Sequence, residues 1–258
     1  MVTYLLKKSY QLRSFREIEF KDLWGDHGVF TTMWIYGSPP KILFFKDHIN
    51  NLMKSAKAYG ILKKNLKSKI FELLKKNINS KKKYNHLLRI ALNKTTLSIS
   101  LRKRIKPKLN FNLKLVNLKR HKPEFKNLKY KKILKYLSKL DNSKSDIGLC
   151  SDSKIFETGT SNIFFIKDNK VFSPINKFYK GITYNYFKNK IKKIIQKDIL
   201  ISSLKTYDEI ILIGSGKGVA SIKTIDKIKW KRKNLKFYNE LLKYYKLAIK
   251  TNLRLKLC

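Results

Sequence analysis

Two short stretches of this chain have the residue types to hold an anion. Gly181-Ile182-Thr183 stands before a segment with helical character, and Gly214-Ser215-Gly216-Lys217-Gly218 follows an apolar run. Glycine lets a backbone turn sharply, and the free N–H groups of such a turn or of a first helical turn converge on a phosphate or carboxylate. Neither stretch matches a nucleotide-binding fingerprint, so an ordinary loop explains each equally well. Cys150 and Cys258 are the two cysteines, far apart and outside any metal-ligand spacing, so no metal site is expected. With 60 lysines and arginines in the chain, composition singles out none of them as a reactive amine.

Several elements are needed to place these stretches. Gly28–Tyr36 (GVFTTMWIY) is rich in β-branched and aromatic residues and reads as a strand. Gly37-Ser38-Pro39-Pro40 is a turn, and Ile42–Phe45 reads as a return strand. Asp47 is read as the N-cap of a helix whose apolar residues Ile49, Leu52, Met53 and Ala56 keep helical spacing as far as Gly60. A second helix is expected over Asn65 to Asn77, then strands at Leu87–Leu92 and Thr96–Leu101, a turn over Arg102–Lys108, and a strand at Phe111–Leu118. The polar stretch Lys119–Lys126 (KRHKPEFK) suits a connection between domains. Beyond it, Leu128–Leu140 has helical periodicity, and Ile147–Cys150, Asn162–Lys167 and Lys170–Phe172 read as strands, with Asp168-Asn169 turning between the last two. Thr183 to Gln196 reads as a helix and Glu209–Ile213 as a buried strand. The expected architecture is α+β in two domains, 1–118 and 119–258.

A net charge of +43 would suit a nucleic-acid or anionic-membrane partner, because phosphates attract lysine and arginine at long range. The lysines are spread along the whole chain, however, and no zinc finger, RNA-recognition signature or aromatic-interleaved basic stripe accompanies them. Neither a specific nucleic-acid partner nor a membrane partner is therefore expected. No apolar run reaches the roughly 18–20 residues of a spanning helix, and Lys7-Lys8 interrupts the start too early for a secretory signal. A cytoplasmic protein is the expectation.

Five stretches, in order, resemble the class-IV pyridoxal-phosphate enzymes, the family of branched-chain aminotransferases and 4-amino-4-deoxychorismate lyases. Gly25–Thr32 (GDHGVFTT) resembles an early lyase signature, and Phe45–Ile61 resembles the family's His-x-x-Arg-Leu-x-x-Ser-Ala helix. Lys126–Tyr130 (KNLKY) resembles the Lys-x-Leu-Asn-Tyr segment, and Ile155–Phe164 (IFETGTSNIF) the Val-x-Glu-x-x-x-x-Asn-Ile/Leu-Phe motif. Ser173-Pro174, Gly181-Ile182-Thr183 and Ile213–Ile222 (IGSGKGVASI) complete the series.

The resemblance implies a two-domain fold of type IV, with a small N-terminal domain and a larger, barrel-like C-terminal domain with helices. It implies pyridoxal 5'-phosphate as cofactor, joined to Lys126 as a Schiff base, and a homodimer. Glu157 would accept a hydrogen bond from the pyridine nitrogen and Tyr130 would face the phenolic oxygen. The phosphate would take N–H groups of Ile182 and Thr183 on one side, with Ser215 and Gly216 on the other. The lyase is the nearer match by sequence, which implies release of 4-aminobenzoate and pyruvate for folate synthesis from a small anionic substrate. An aminotransferase acting on branched-chain or D-amino acids is the alternative, and a degenerate, non-catalytic relative with non-specific nucleic-acid binding is a further one. Thr31 and Thr32 are expected to face the substrate, with Arg102, and beside it Arg104, for its carboxylates. The chain departs from the family at three places. Asn51 stands where an arginine usually grips the phosphate, Tyr184 replaces the arginine after Gly-Ile-Thr, and Asn93-Lys94-Thr95-Thr96 replaces a glycine-arginine loop.

Overall fold

The computed structural model describes residues 3–252, so Cys258 lies outside the described residues. The chain divides into two units. The first takes residues 3–104, 125–131 and 251–252, and the second takes 105–124 and 132–250. The chain thus passes between units at several points rather than once near residue 118.

The first unit holds a six-stranded antiparallel sheet. Its strands are β1 (Tyr4–Gln11), β2 (Glu17–Ile18), β3 (Gly28–Gly37), β4 (Lys41–Ile42), β5 (Tyr84–Asn93) and β6 (Thr96–Lys103), in the order β2-β1-β6-β5-β3-β4. One face is apolar at alternate positions (Val29, Met33, Ile35 on β3; Leu88, Ile90, Leu92 on β5; Leu97, Ile99, Leu101 on β6). Helices α1 (Phe45–Ala58) and α2 (Leu66–Asn77) cover that face with Ile49, Leu52, Ala56, Leu66, Ile70 and Leu74. Each such large side chain contributes about 1.5–3 kcal/mol by leaving water. The return strand ends after two residues, because α1 begins at Phe45 behind Phe44 in the left-handed region (φ 54°). Asp47 is therefore not the cap. It sits in the first turn, where a carboxylate suits the helix dipole.

Residues 125–130 do not join a helix running from 128 to 140. Their backbone groups are taken by the free edge of β3. Phe30 N–H donates to the Lys126 carbonyl (2.9 Å), Leu128 N–H donates to the Gly28 carbonyl (2.9 Å), and Val29 bridges Asn127. Gly28 permits this approach, since a Cβ there would stand 2.2 Å from the Leu92 carbonyl oxygen and 2.7 Å from the Leu128 side chain. The helix, α3, is left with Lys131–Leu137.

The second unit is a curled sheet of nine strands. They are β7 (Phe111–Asn117), β8 (Ser145–Ser151), β9 (Lys154–Thr158), β10 (Asn162–Lys167), β11 (Lys170–Ser173), β12 (Ile194–Gln196), β13 (Glu209–Gly214), β14 (Gly218–Ile225) and β15 (Ile228–Lys231). The order is β12-β11-β10-β13-β14-β7-β8-β9, with β15 beside β14. The outer edge of β9 bonds to residues just past β12, with Ile155 N–H donating to the Ile199 carbonyl (3.0 Å), so the curl nearly closes on itself. This is the expected barrel-like domain. β10 (NIFFIK) and β13 (EIILIG) are buried on both faces. Phe165, Ile210 and Leu212 line the inner core with Phe111 and Trp230, while α4 (Ile182–Lys188) lies on the other side, where Tyr184 meets Phe164. The helix expected over 183–196 stops at Lys188, because Ile194–Gln196 adds to the sheet edge, parallel to β11. Asp168 and Asn169 both take positive φ (49° and 56°), the geometry of a two-residue hairpin turn. The final helix, α5 (Lys236–Thr251), starts where Phe237 and Tyr238 donate their N–H groups to the Glu209 carboxylate (2.8 and 3.1 Å). Among the described residues no helix is long and apolar enough to cross a membrane.

Candidate active site

In the first unit, Lys126 is placed by backbone. Its carbonyl is held by Phe30, and its ammonium lies 5.2 Å from the centre of the Phe30 ring. Phe30 belongs to an aromatic group with Trp24 (4.8 Å, edge-on) and Tyr130 (5.7 Å), and Tyr130 stacks on Trp24 at 5.3 Å. Tyr130 is 8% exposed. The lysine therefore starts on the same short β3-edge segment that supplies the tyrosine.

Thr31 and Thr32 are neighbours in β3, so their side chains leave opposite faces of the sheet. Thr31 points into the helix-covered core, where its Oγ1 lies 2.8 Å from Nδ1 of His48 on α1. Thr32 is half-buried on the other face, paired across the sheet with Arg89. The expected pair is thus divided between the two faces, with Thr31 toward the helices and Thr32 away from them. His48 is a residue to which sequence reasoning gave no role. Burial, and then the positive charge of Lys126, push its imidazole down to about 3, so it is neutral at physiological pH.

Arg102 is half-buried on β6, on the same sheet face as Thr32 and Arg89. Burial lowers its guanidinium pKa, as does neighbouring Arg89, against the opposing influence of Tyr4 and Tyr130. Arg89 itself pairs with Asp22 and lies 4.4 Å over the Trp24 ring. Arg104 instead lies over Trp34, at 4.1 Å.

In the second unit, Glu157 on β9 is 3% exposed and receives both arms of the Arg120 guanidinium. Nε donates to Oε1 at 2.7 Å and Nη2 to Oε2 at 3.1 Å. Such a fork fixes the plane of the carboxylate. Arg120 carried no local signal in the sequence. It sits in the polar stretch read as a linker, 37 residues from its partner.

Two phosphate-type loops meet in the same unit. Gly181 N–H donates to Asn162 Oδ1 (3.1 Å), and Asn162 Nδ2 donates to the Tyr179 carbonyl (2.6 Å), which fixes the entry to α4. The amides of Ile182 and Thr183 then fall in the first turn, where helical geometry supplies no carbonyl for them. Thr183 Oγ1 lies 3.2 Å from Ser215 Oγ, so the helix start and the glycine-rich turn are joined through their hydroxyls. Ser215 and Gly216 are half-buried. Converging amides and hydroxyls of this kind suit a small dianion. Tyr184 is a core residue, 1% exposed, with its hydroxyl 3.2 Å from Ser173 Oγ, and Asn51 is half-buried on α1. Among the described residues no group of three or more histidine, cysteine, aspartate or glutamate side chains is placed to hold a metal.

Comparisons with known proteins agree with this frame. The profile of the family described as amino-transferase class IV matches residues 28–225. Among solved structures, a branched-chain aminotransferase from Thermoproteus uzoniensis superposes with a TM-score of 0.74 at 16% identity, covering 94% of this chain and 95% of that one. A branched-chain amino acid aminotransferase from Thermobaculum terrenum, in its PLP form, gives 0.73 at 14% identity over 94% of each chain. A putative 4-amino-4-deoxychorismate lyase from Legionella pneumophila gives 0.69 at 16% identity, covering 86% of this chain and 91% of that one. At these identities the likeness is one of fold, and it does not set the lyase nearer than the aminotransferases. No curated protein matches the chain. The profile spans well over half of the sequence, and the chain belongs to the class-IV aminotransferase family.

Proposed function

We propose that this chain is a pyridoxal-phosphate enzyme that moves the amino group of an anionic amino-acid substrate, an aminotransferase of class IV. The observation that carries the reading is the arrangement in the second unit, where an acid clamped by Arg120 accompanies two donor loops joined through Thr183 and Ser215. The donor loops fit a phosphate and the accepting carboxylate fits a protonated ring nitrogen, the two ends of this cofactor that need partners.

When bound, the cofactor supplies an electron sink for the substrate's reacting carbon. The protein's part falls to a few groups. The Lys126 amine anchors the cofactor and carries the proton to and from that carbon. Glu157 accepts a hydrogen bond from the ring nitrogen, Tyr130 serves the phenolic oxygen, and Ile182, Thr183, Ser215 and Gly216 hold the phosphate. Arg102, on the sheet face opposite the helices, serves a substrate carboxylate, with Thr32 on the same face. A homodimer accompanies this reading.

A second reading has one specific feature in its favour. The Thr31-Thr32 pair stands where transaminases of this family commonly carry glutamate, which suits 4-amino-4-deoxychorismate lyase activity yielding 4-aminobenzoate and pyruvate. The experiment is direct. The purified protein is expected to absorb in the visible range with pyridoxal phosphate, and Lys126→Ala to lose that absorbance. Keto acid formed from an amino donor supports the aminotransferase, and 4-aminobenzoate formed from aminodeoxychorismate supports the lyase. A protein that stays colourless with added cofactor would end both.

A further inference from the structure

One buried ion pair of the second unit has no part in the roles assigned above. Asp146, at the start of β8, is fully buried, and Lys217, inside the glycine-rich turn, is 9% exposed. The ammonium lies 3.4 Å from Asp146 Oδ2 and 5.0 Å from the centre of the Phe111 ring, so it is directed into the protein. The same carboxylate accepts the hydroxyls of Thr158 (3.0 Å) and Thr160 (2.7 Å), and its other oxygen accepts the Ile147 N–H (2.8 Å). Thr158 in turn closes the 158–161 turn through Ser161, whose Oγ lies 3.0 Å from where a Cβ on Gly214 would stand. A single carboxylate therefore ties together the start of β8, the turn after β9 and the turn after β13.

Desolvating two charges is expensive, and an apolar pair of the same volume would often stabilise the fold as well or better. A buried pair is better suited to fixing one arrangement among several. The turn from Gly214 to Gly218 holds three glycines in five residues, and glycine gives up the most backbone freedom when it is ordered. Here the turn is pinned on two sides. Lys217 is held inward by Asp146, and Ser215 is held by Thr183 at the start of α4.

We propose that Asp146 and Lys217 are positioning residues, which lock the glycine-rich turn so that the donors of Ser215 and Gly216 stand ready for the cofactor's phosphate. The inference rests on the cofactor reading above. Its test separates the phosphate from the rest of the cofactor. Cofactor-free full-length protein is titrated with pyridoxal phosphate and, separately, with pyridoxal, which has the same aldehyde and no phosphate, following visible absorbance.

The wild type prefers the phosphorylated form. In Lys217→Met that preference falls about tenfold or more, the scale of one or two lost hydrogen bonds, while pyridoxal binds within about twofold of the wild type, inside the scatter of such a contact. Lys217→Arg, which keeps the pair, retains the preference. Asp146→Asn, which leaves the ammonium in place without its carboxylate, loses it as Lys217→Met does. Should either single variant not unfold cooperatively, the Asp146→Asn/Lys217→Met double variant, with no lone buried charge, carries the same expectation. A wild-type preference in the variants overturns the proposal. So does loss in Lys217→Met alone with Asp146→Asn unaffected, because the lysine would then be touching the phosphate itself. A wild type that binds neither compound sinks the cofactor reading, and this one with it.

Discussion

The two units hold their candidate residues by different means. In the first unit Lys126 is positioned by main chain, because the 125–128 segment hydrogen-bonds along the β3 edge and the side chain follows. In the second unit Glu157 and the donor loops are positioned by side chains, namely Arg120, Asn162, Asp146 and the Thr183–Ser215 contact. A group held by backbone tolerates substitution of nearby side chains but is sensitive to anything that blocks the strand edge. A group held in a side-chain network is sensitive to the loss of a single partner, since the partner left behind is buried and unmatched.

The largest expected effect removes the amine itself. Lys126→Ala should lower turnover by about a thousandfold or more, as losing a proton-carrying group does, and should scarcely change the unfolding midpoint, because the backbone hydrogen bonds remain. A midpoint that collapses would show that the side chain holds the segment. Next is the side-chain half. Arg120→Met leaves Glu157 buried without its cation and is expected to cost about 3–5 kcal/mol in urea unfolding. A near-neutral result would mean that Glu157 does not depend on this clamp. A smaller loss is expected from Gly28→Ala, where the added methyl meets the Leu92 carbonyl and the Leu128 side chain. About 1–3 kcal/mol of stability should go with weaker cofactor retention, and retention unchanged would break the link between the β3 edge and Lys126.

The last effect is one of pH, and it is spread over several pH units. His48 is held at about 3 in the folded chain against an ordinary 6.5, so below 6.5 the unfolded chain takes up the proton first. Stability should therefore be full above about pH 6.5 and fall as pH drops toward 3, with this histidine contributing a slope of up to about 1.4 kcal/mol per pH unit. His48→Gln should show a shallower acid slope in denaturation series at pH 4, 5 and 6. An identical slope would exclude His48 as its source.

Local chemistry made part of this legible in the sequence. β3 and α2 follow from periodicity, and the Asp168-Asn169 hairpin from turn chemistry, because each is decided by residues within a few positions. The misread elements are those decided by distant partners. Leu128 fits a helical pattern, yet its N–H goes to Gly28. Thr183–Gln196 reads as one helix, yet Ile194 finds β11. The same distinction runs through the site. Glu157 and the loops stand out through motifs. Arg120, His48 and Lys217 act through partners 37, 17 and 71 positions away; His48 and Lys217 lie inside quoted motifs, yet no spacing rule supplies their partners.

The discontinuous first unit also bears on how the protein is made. Its sheet borrows an edge segment from the middle of the chain, and Asn252 donates hydrogen bonds to the Tyr36 hydroxyl and the Ile42 carbonyl beside β4. Asn252 is made 216 positions after Tyr36 and 210 after Ile42, so these bonds close only once nearly all of the described chain has been synthesised.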